Sequence, residues 1–201
     1  MSFLTLDKFH EDLLMKITDG MPLRFISNEE NVPYLERYFV AEMFGWQFYI
    51  HRFVGSDPDR GLHDHPWRKA YSIVLKSYYH EITRSGLRTV RWFNSLTGDT
   101  FHRVLLPGKG PLKMGLDENN ELTCDRDSIP CWTFFFHPAG DVKDWGFLKP
   151  VDEILPGEKW DGKPLLFVPY DYKRESWKQG KDKRWWLTAK SRRQLREQKA
   201  A

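Results

Sequence analysis

Cysteine is nearly absent from this chain: Cys124 and Cys131 are the only two in 201 residues. Their spacing fits neither a zinc knuckle nor a redox pair, and two thiols in a chain this long build no disulfide framework, so a reducing compartment is expected. No run approaches the roughly 18 apolar residues that a membrane span requires. The opening Met-Ser-Phe-Leu-Thr-Leu-Asp-Lys lacks the basic-then-apolar order of a secretory signal. A soluble, cytoplasmic protein without membrane contact is the expectation. Internal repeats are missing, as are the glycine patterns of Rossmann and P-loop nucleotide sites. No serine or cysteine nucleophile stands out, and Cys131, with nothing local to lower its pKa, is expected to be inert.

What is present suits a packed core: 40% of residues are hydrophobic and 15% aromatic. That fits one domain with appendages. The net charge of +3 conceals an asymmetry. Residues 172–201 hold 11 Lys/Arg against 3 Asp/Glu, so they carry +8 and the preceding residues −5. A basic tail of this kind is either a solvated amphipathic helix or a contact for nucleic acid or another polyanion. Trp177, Trp185 and Trp186 among those charges suit base stacking or packing back onto the body.

The chain divides into a lead-in (1–32), a β-rich body (33–171) and a basic extension (172–201). Leu6, Phe9, Leu13 and Ile17 recur at helical spacing before Gly20 and Pro22, which predicts an amphipathic helix over 4–19 on the outside of the domain. Strands are expected at 38–40, 48–53, 71–79, 89–93, 100–106, 112–116, 132–137 and 165–168, with a short helix from Pro33 as an alternative at the start. Gly, Pro, Asn and Asp clusters separate them at short spacing with no long helix between. That pattern indicates an antiparallel barrel or sandwich. A narrow stripe of Leu187, Ser191 and Leu195 predicts a helix over 183–198, with a frayed end.

The chemistry concentrates in Gly61-Leu-His-Asp-His-Pro-Trp67. Two histidines one residue apart on a strand share a face, so His63 and His65 form a chelating pair. His102, in a second strand-like run, offers a third imidazole. Asp64, pointing the other way, suits an outer hydrogen bond to a ligand histidine or a loop contact.

His63-x-His65, followed by Gly98-Asp-Thr-Phe-His102, resembles the two signature motifs of the cupin superfamily, over about residues 35–150. Pro33-Tyr-Leu-Glu-Arg37, Ser56-Asp-Pro-Asp-Arg60, His63-Asp-His-Pro-Trp67 and Asp144-Trp-Gly-Phe147 further resemble a group of cupin-like proteins of bacteria and phages. The resemblance implies a mainly β, antiparallel jelly-roll barrel with the motif residues converging inside. It also implies a glutamate ligand near position 69 or 70, where this chain has Lys69 and Ala70. A three-histidine site of His63, His65 and His102, with open positions, is what remains. All-histidine sites in the superfamily occur in iron oxygenases, so the resemblance implies Fe(II) first and Mn(II), Ni(II) or Zn(II) behind it.

Glu81 is either a late carboxylate ligand or a solvent-facing strand residue. His51 and His137 are either satisfied core imidazoles or, if they line the barrel, candidates for proton transfer. Arg52, Arg60 and Arg103 flank the motif as candidate clamps for a carboxylate or phosphate, with Arg103 expected to point outward. Two functions follow. One is a mononuclear metal-dependent oxidoreductase acting on a small molecule. The other is a binding module without turnover or, on the same barrel, a metal-free sugar-nucleotide epimerase. A homodimer is expected by analogy alone.

Overall fold

The computed structural model describes residues 3–28, 30–58, 60–116, 122–150, 165–170 and 184–200. Two six-stranded antiparallel sheets face each other. The first joins β1 (Leu23–Ser27), β2 (Pro33–Met43), β3 (Trp46–Phe53), β12 (Cys131–Pro138), β5 (Lys69–Lys76) and β8 (Phe93–Thr97) in that spatial order. The second joins β14 (Leu165–Pro169), β13 (Gly146–Pro150), β4 (Leu62–His63), β9 (His102–Leu105), β6 (Tyr79–Thr83) and β7 (Gly86–Val90). A separate hairpin pairs β10 (Gly108–Leu116) with β11 (Leu122–Ser128). The architecture is mainly β, with two antiparallel sheets and a helix at each end, as expected. Pro33 begins a strand and no helix, and the run expected at 71–79 is two strands, broken at Ser77, whose φ is +67°.

Alternation along β2, β3 and β12 splits the chain between two environments. Leu35, Phe53 and Cys131 face inward and join Tyr79, Val90, Val104 and Leu106 of the opposite sheet in one buried cluster. Tyr38, Ile50 and Trp132 face outward, where helix α1 (Phe3–Thr18) covers them with Leu14. The helix is where the spacing put it, but its rotation differs from the apolar stripe. Phe9, Leu13 and Ile17 are exposed, whereas Leu14 and Thr18 are buried. Polar anchors explain this. Glu11 accepts from the Trp132 indole at 3.0 Å and pairs with Arg52 and Lys76, so the helix docks on its Glu11–Leu14–Thr18 side.

The C-terminal extension also belongs to the body. Trp185 is buried and stacks on Tyr49, and Trp186 lies flat on Phe39 with ring centroids 4.3 Å apart. Helix α2 (Arg192–Ala200) follows; Arg192 binds Tyr38 and the buried Glu36, and Arg193 and Arg196 pair with Asp19. Trp177 and the basic residues from Lys173 to Lys183 lie outside the described residues.

Candidate metal centre

β4 is two residues long, yet its pairing decides the site. His63 lies in register with His102 on β9 and with Phe147 on β13. His65 follows two residues later on the same side, because Asp64 is pinned to the other. The buried Asp64 carboxylate accepts from the Gly146 backbone N–H at 2.7 Å and pairs with Lys143. Gly146 is required there: a Cβ would meet the Val168 carbonyl oxygen at 2.2 Å. Gly98 serves the other side of the loop, since a Cβ on it would meet the Trp67 carbonyl oxygen at 2.9 Å. Asp64 is therefore a loop staple and does not touch the imidazoles.

The His63, His65 and His102 rings converge, with one nitrogen of each within 4.8 Å of the others. His65 Nε2 and His102 Nε2 stand 3.0 Å apart. Behind His102, Glu81 is fully buried, against the expectation of a solvent-facing or ligating carboxylate. It accepts from His102 Nδ1 at 2.9 Å, from Arg88 Nε at 2.8 Å and from Asn94 Nδ2 at 2.6 Å. Burial opposes its ionisation, but its bonds to His102 and Arg88 outweigh that and hold the carboxyl below its ordinary range. Glu81 takes up His102 Nδ1 and so turns its Nε2 toward the other two rings. Asp57 stands 3.8 Å from His63 Nδ1, held by the Val104 backbone N–H at 2.8 Å. Ser56 and Asp57 thus form a side rail along β9 and the residue after it, with Ser56 Oγ accepting from Leu106 N–H at 2.9 Å.

The residues fit a divalent metal ion. Burial, reinforced by neighbouring imidazoles and cations, holds His63 and His65 well below 6.5, so both offer lone pairs at neutral pH. Two nitrogens each about 2.1 Å from one ion and at right angles stand about 3.0 Å apart. The carboxylate behind His102 is the usual brace of a metal-bound imidazole. Lys69 is exposed and Ala70 is core, so neither supplies the missing glutamate.

The site opens into a cavity of about 790 Å³ between the sheets, lined by all three histidines, Arg37, His51, His137 and Trp67 among others. His51 and His137 do line the barrel, but burial removes them from the proton-transfer range. His51 is held well below 6.5 by burial and Arg37, and its Nε2 accepts from Arg37 Nε at 3.0 Å. His137 is pushed down to about 3 by burial, and its Nδ1 donates to the Pro138 carbonyl at 2.7 Å. The His137 ring lies 3.6 Å from that of Trp67, which in turn stacks on His65. Arg60 lines the cavity over Phe147, whereas Arg52 is on the outer face with Glu11 and Glu36. Arg103 is half-buried on β9 and does not line the cavity. Cys131 is buried, with its thiol pushed up to about 12.

Arg37, Asp57 and Lys143 are site residues that motif reading passed over. Arg37 and Asp57 lay inside stretches singled out for resemblance, but their roles depend on strand pairing. No family model matches the chain, and no curated protein matches it. Among solved structures it is similar to cupin-2 domain proteins. One, from Rhodospirillum rubrum, is 11% identical at a TM-score of 0.45, covering 67% of this chain and 80% of that one. A cupin 2 conserved barrel domain protein from Rhodopseudomonas palustris is 8% identical at 0.45, covering 65% and 79%. The FeII form of HppE is 10% identical at 0.40, covering 59% and 57%. Likenesses this distant carry no functional inference.

Proposed function

We propose that this protein is a mononuclear metal-dependent enzyme of the oxidoreductase type. His63, His65 and His102 hold the ion, with Fe(II) the first choice and Mn(II), Ni(II) or Zn(II) behind it, and a small molecule is turned over in the cavity beside them. The observation that carries this reading is the convergence of three imidazoles, His102 buried and His63 and His65 half-buried, with Glu81 bonded behind His102. Such an ion supplies Lewis acidity and, if redox-active, electrons. The chain's own residues do the rest. Glu81 orients the His102 imidazole, Asp57 lies near that of His63, Trp67 and Phe147 keep the approach apolar, and the Asp64–Lys143 pair holds the His63–Trp67 loop in place.

A second reading rests on Asp57 beside His63: a metal-free acid–base pair such as an epimerase would use. Oxygen uptake separates the two. After anaerobic loading with Fe(II), the wild-type chain is expected to consume dioxygen when small organic substrates are supplied, and His65→Ala is expected to lose that uptake. Equal uptake by wild type and variant contradicts the oxidoreductase reading.

A further inference from the structure

The cavity wall contains a cation that no described carboxylate neutralises. Lys143 is paired with Asp64. Arg37 is half-buried and lines the cavity, yet among the described residues no carboxylate pairs with it. Its contacts are the Nε bond to the neutral His51 ring and the face of Tyr49, 5.4 Å from the ring centroid. Its neighbour on β2, Glu36, points to the opposite face and serves Arg52 and Arg192. Burying a guanidinium without a counter-ion is costly, and burial accordingly pulls Arg37 below its ordinary pKa. A fold that accepts this cost on the wall of a cavity of about 790 Å³ has placed a binding group there.

The register makes the arrangement specific. Arg37, His51 and Thr133 sit directly opposite one another on β2, β3 and β12, so they form one polar row across the floor of the barrel. Thr133 Oγ1, at the end of that row, is buried without a hydrogen-bond partner. With Nε committed to His51, Arg37 has its Nη1–Nη2 end left over, a fork that matches the two oxygens of a carboxylate. Arg37 and His65 line the same cavity, so a molecule held by the fork lies in the space that the three histidines open into. The intervening surface is aromatic: His51 stacks on Phe135 at 4.7 Å, and Trp67 on His137. A cavity of this volume takes a small organic molecule.

We propose that Arg37, braced by His51, anchors a carboxylate of the substrate, and that the substrate is a small carboxylic acid with a planar apolar body. This rests on the enzyme reading only in taking the cavity as the place of turnover; the anchor itself needs no metal.

The test is calorimetric titration of the full chain with benzoate, its neutral counterpart benzamide, and phenylphosphonate. It is run as purified and again after chelator treatment, which removes direct coordination of the carboxylate, with metal content measured on every sample. Metal-free wild type is expected to bind benzoate at least about tenfold more tightly than benzamide. Arg37→Gln, whose amide can still donate to His51, is expected to lose that preference while benzamide changes by less than about threefold. Arg37→Lys keeps the charge without the fork and is expected to fall between them; it decides the matter if the Gln variant does not fold. Equal binding of benzoate and benzamide by wild type, or benzoate binding untouched in both variants, overturns the anchor. Tighter binding of phenylphosphonate overturns the carboxylate assignment. Discrimination in a protein that takes up no metal upholds the anchor and removes the enzyme reading, whereas normal metal content without discrimination does the reverse.

Discussion

Burial without a charged partner favours the neutral form of a histidine, and His137 shows how far that moves its titration. His137 is 2% exposed and held at about 3. Its unfolded imidazole binds a proton below about 6.5, whereas the folded one stays neutral down to about 3. The stability this residue contributes is therefore complete above pH 6.5 and drains away as the pH falls from there toward 3. By pH 5 the loss from this one group is about 2 kcal/mol. Thermal melts of chelator-treated protein should show the wild-type Tm falling between pH 7 and pH 5, and falling less in His137→Phe, which keeps a ring against Trp67. Parallel profiles for the two proteins would mean that His137 is already open to solvent. The same burial turns His51 from a candidate acid or base into a rest for Arg37. Sequence shows both histidines in aromatic strands but not their depth, because depth depends on which sheet closes over them.

Strands report themselves through alternation, and the turns between them through residues that tolerate a left-handed backbone. β2 and β3 are joined by Phe44 and Gly45, with φ of +53° and +74°. Both central residues of a two-residue hairpin need that conformation, and Asn-Gly is the pair that adopts it most readily. Phe44 is 95% exposed and packs on nothing, so its ring returns no burial for the backbone cost. Phe44→Asn is expected to stabilise the protein by about 1 kcal/mol, read as a shifted denaturant midpoint at unchanged slope. A lower midpoint would show that the ring is held by a contact the fold does not display. At this scale much was legible. The helix over 3–18 and most strands followed from period and punctuation. The chelating pair followed from the spacing of His63 and His65, and its third partner from a second strand-like run. Glu81 was a candidate, but its place behind His102 was not legible, because it needs the β6–β9 pairing; Arg37 was not legible as a site group, because it needs the β2–β3 register to face His51. The rotation of α1 was hidden for a related reason: Glu11 is spent on Trp132 and Arg52, far along the chain.

At the scale of the whole molecule the described part of the basic extension, residues 184–200, packs on the barrel. Trp185 is 8% exposed, lines the cavity and packs with Tyr49, Leu96 and Phe135, which come from three different strands. Truncating a buried tryptophan of this kind costs about 3–5 kcal/mol. Trp185→Ala is thus expected to lower stability by that amount, and Trp186→Ala, stacked on half-buried Phe39, by less. Unfolding at wild-type denaturant concentration in the Trp185 variant would contradict the account of the tail as a wall of the cavity.

The convergence of His63, His65 and His102 is the claim on which the proposed function depends, and elemental analysis tests it most directly. The full chain, purified without a histidine-rich tag, is compared with the His63→Ala, His102→Ala double variant and with Glu81→Gln. About one metal ion per chain is expected in wild type and none in the double variant. Glu81→Gln is expected to keep the fold but bind metal about tenfold to a hundredfold more weakly, since it loses the charged brace on His102. Wild-type protein that holds no metal, even after anaerobic reconstitution with Fe(II), Mn(II), Ni(II) and Zn(II), would contradict the metal centre.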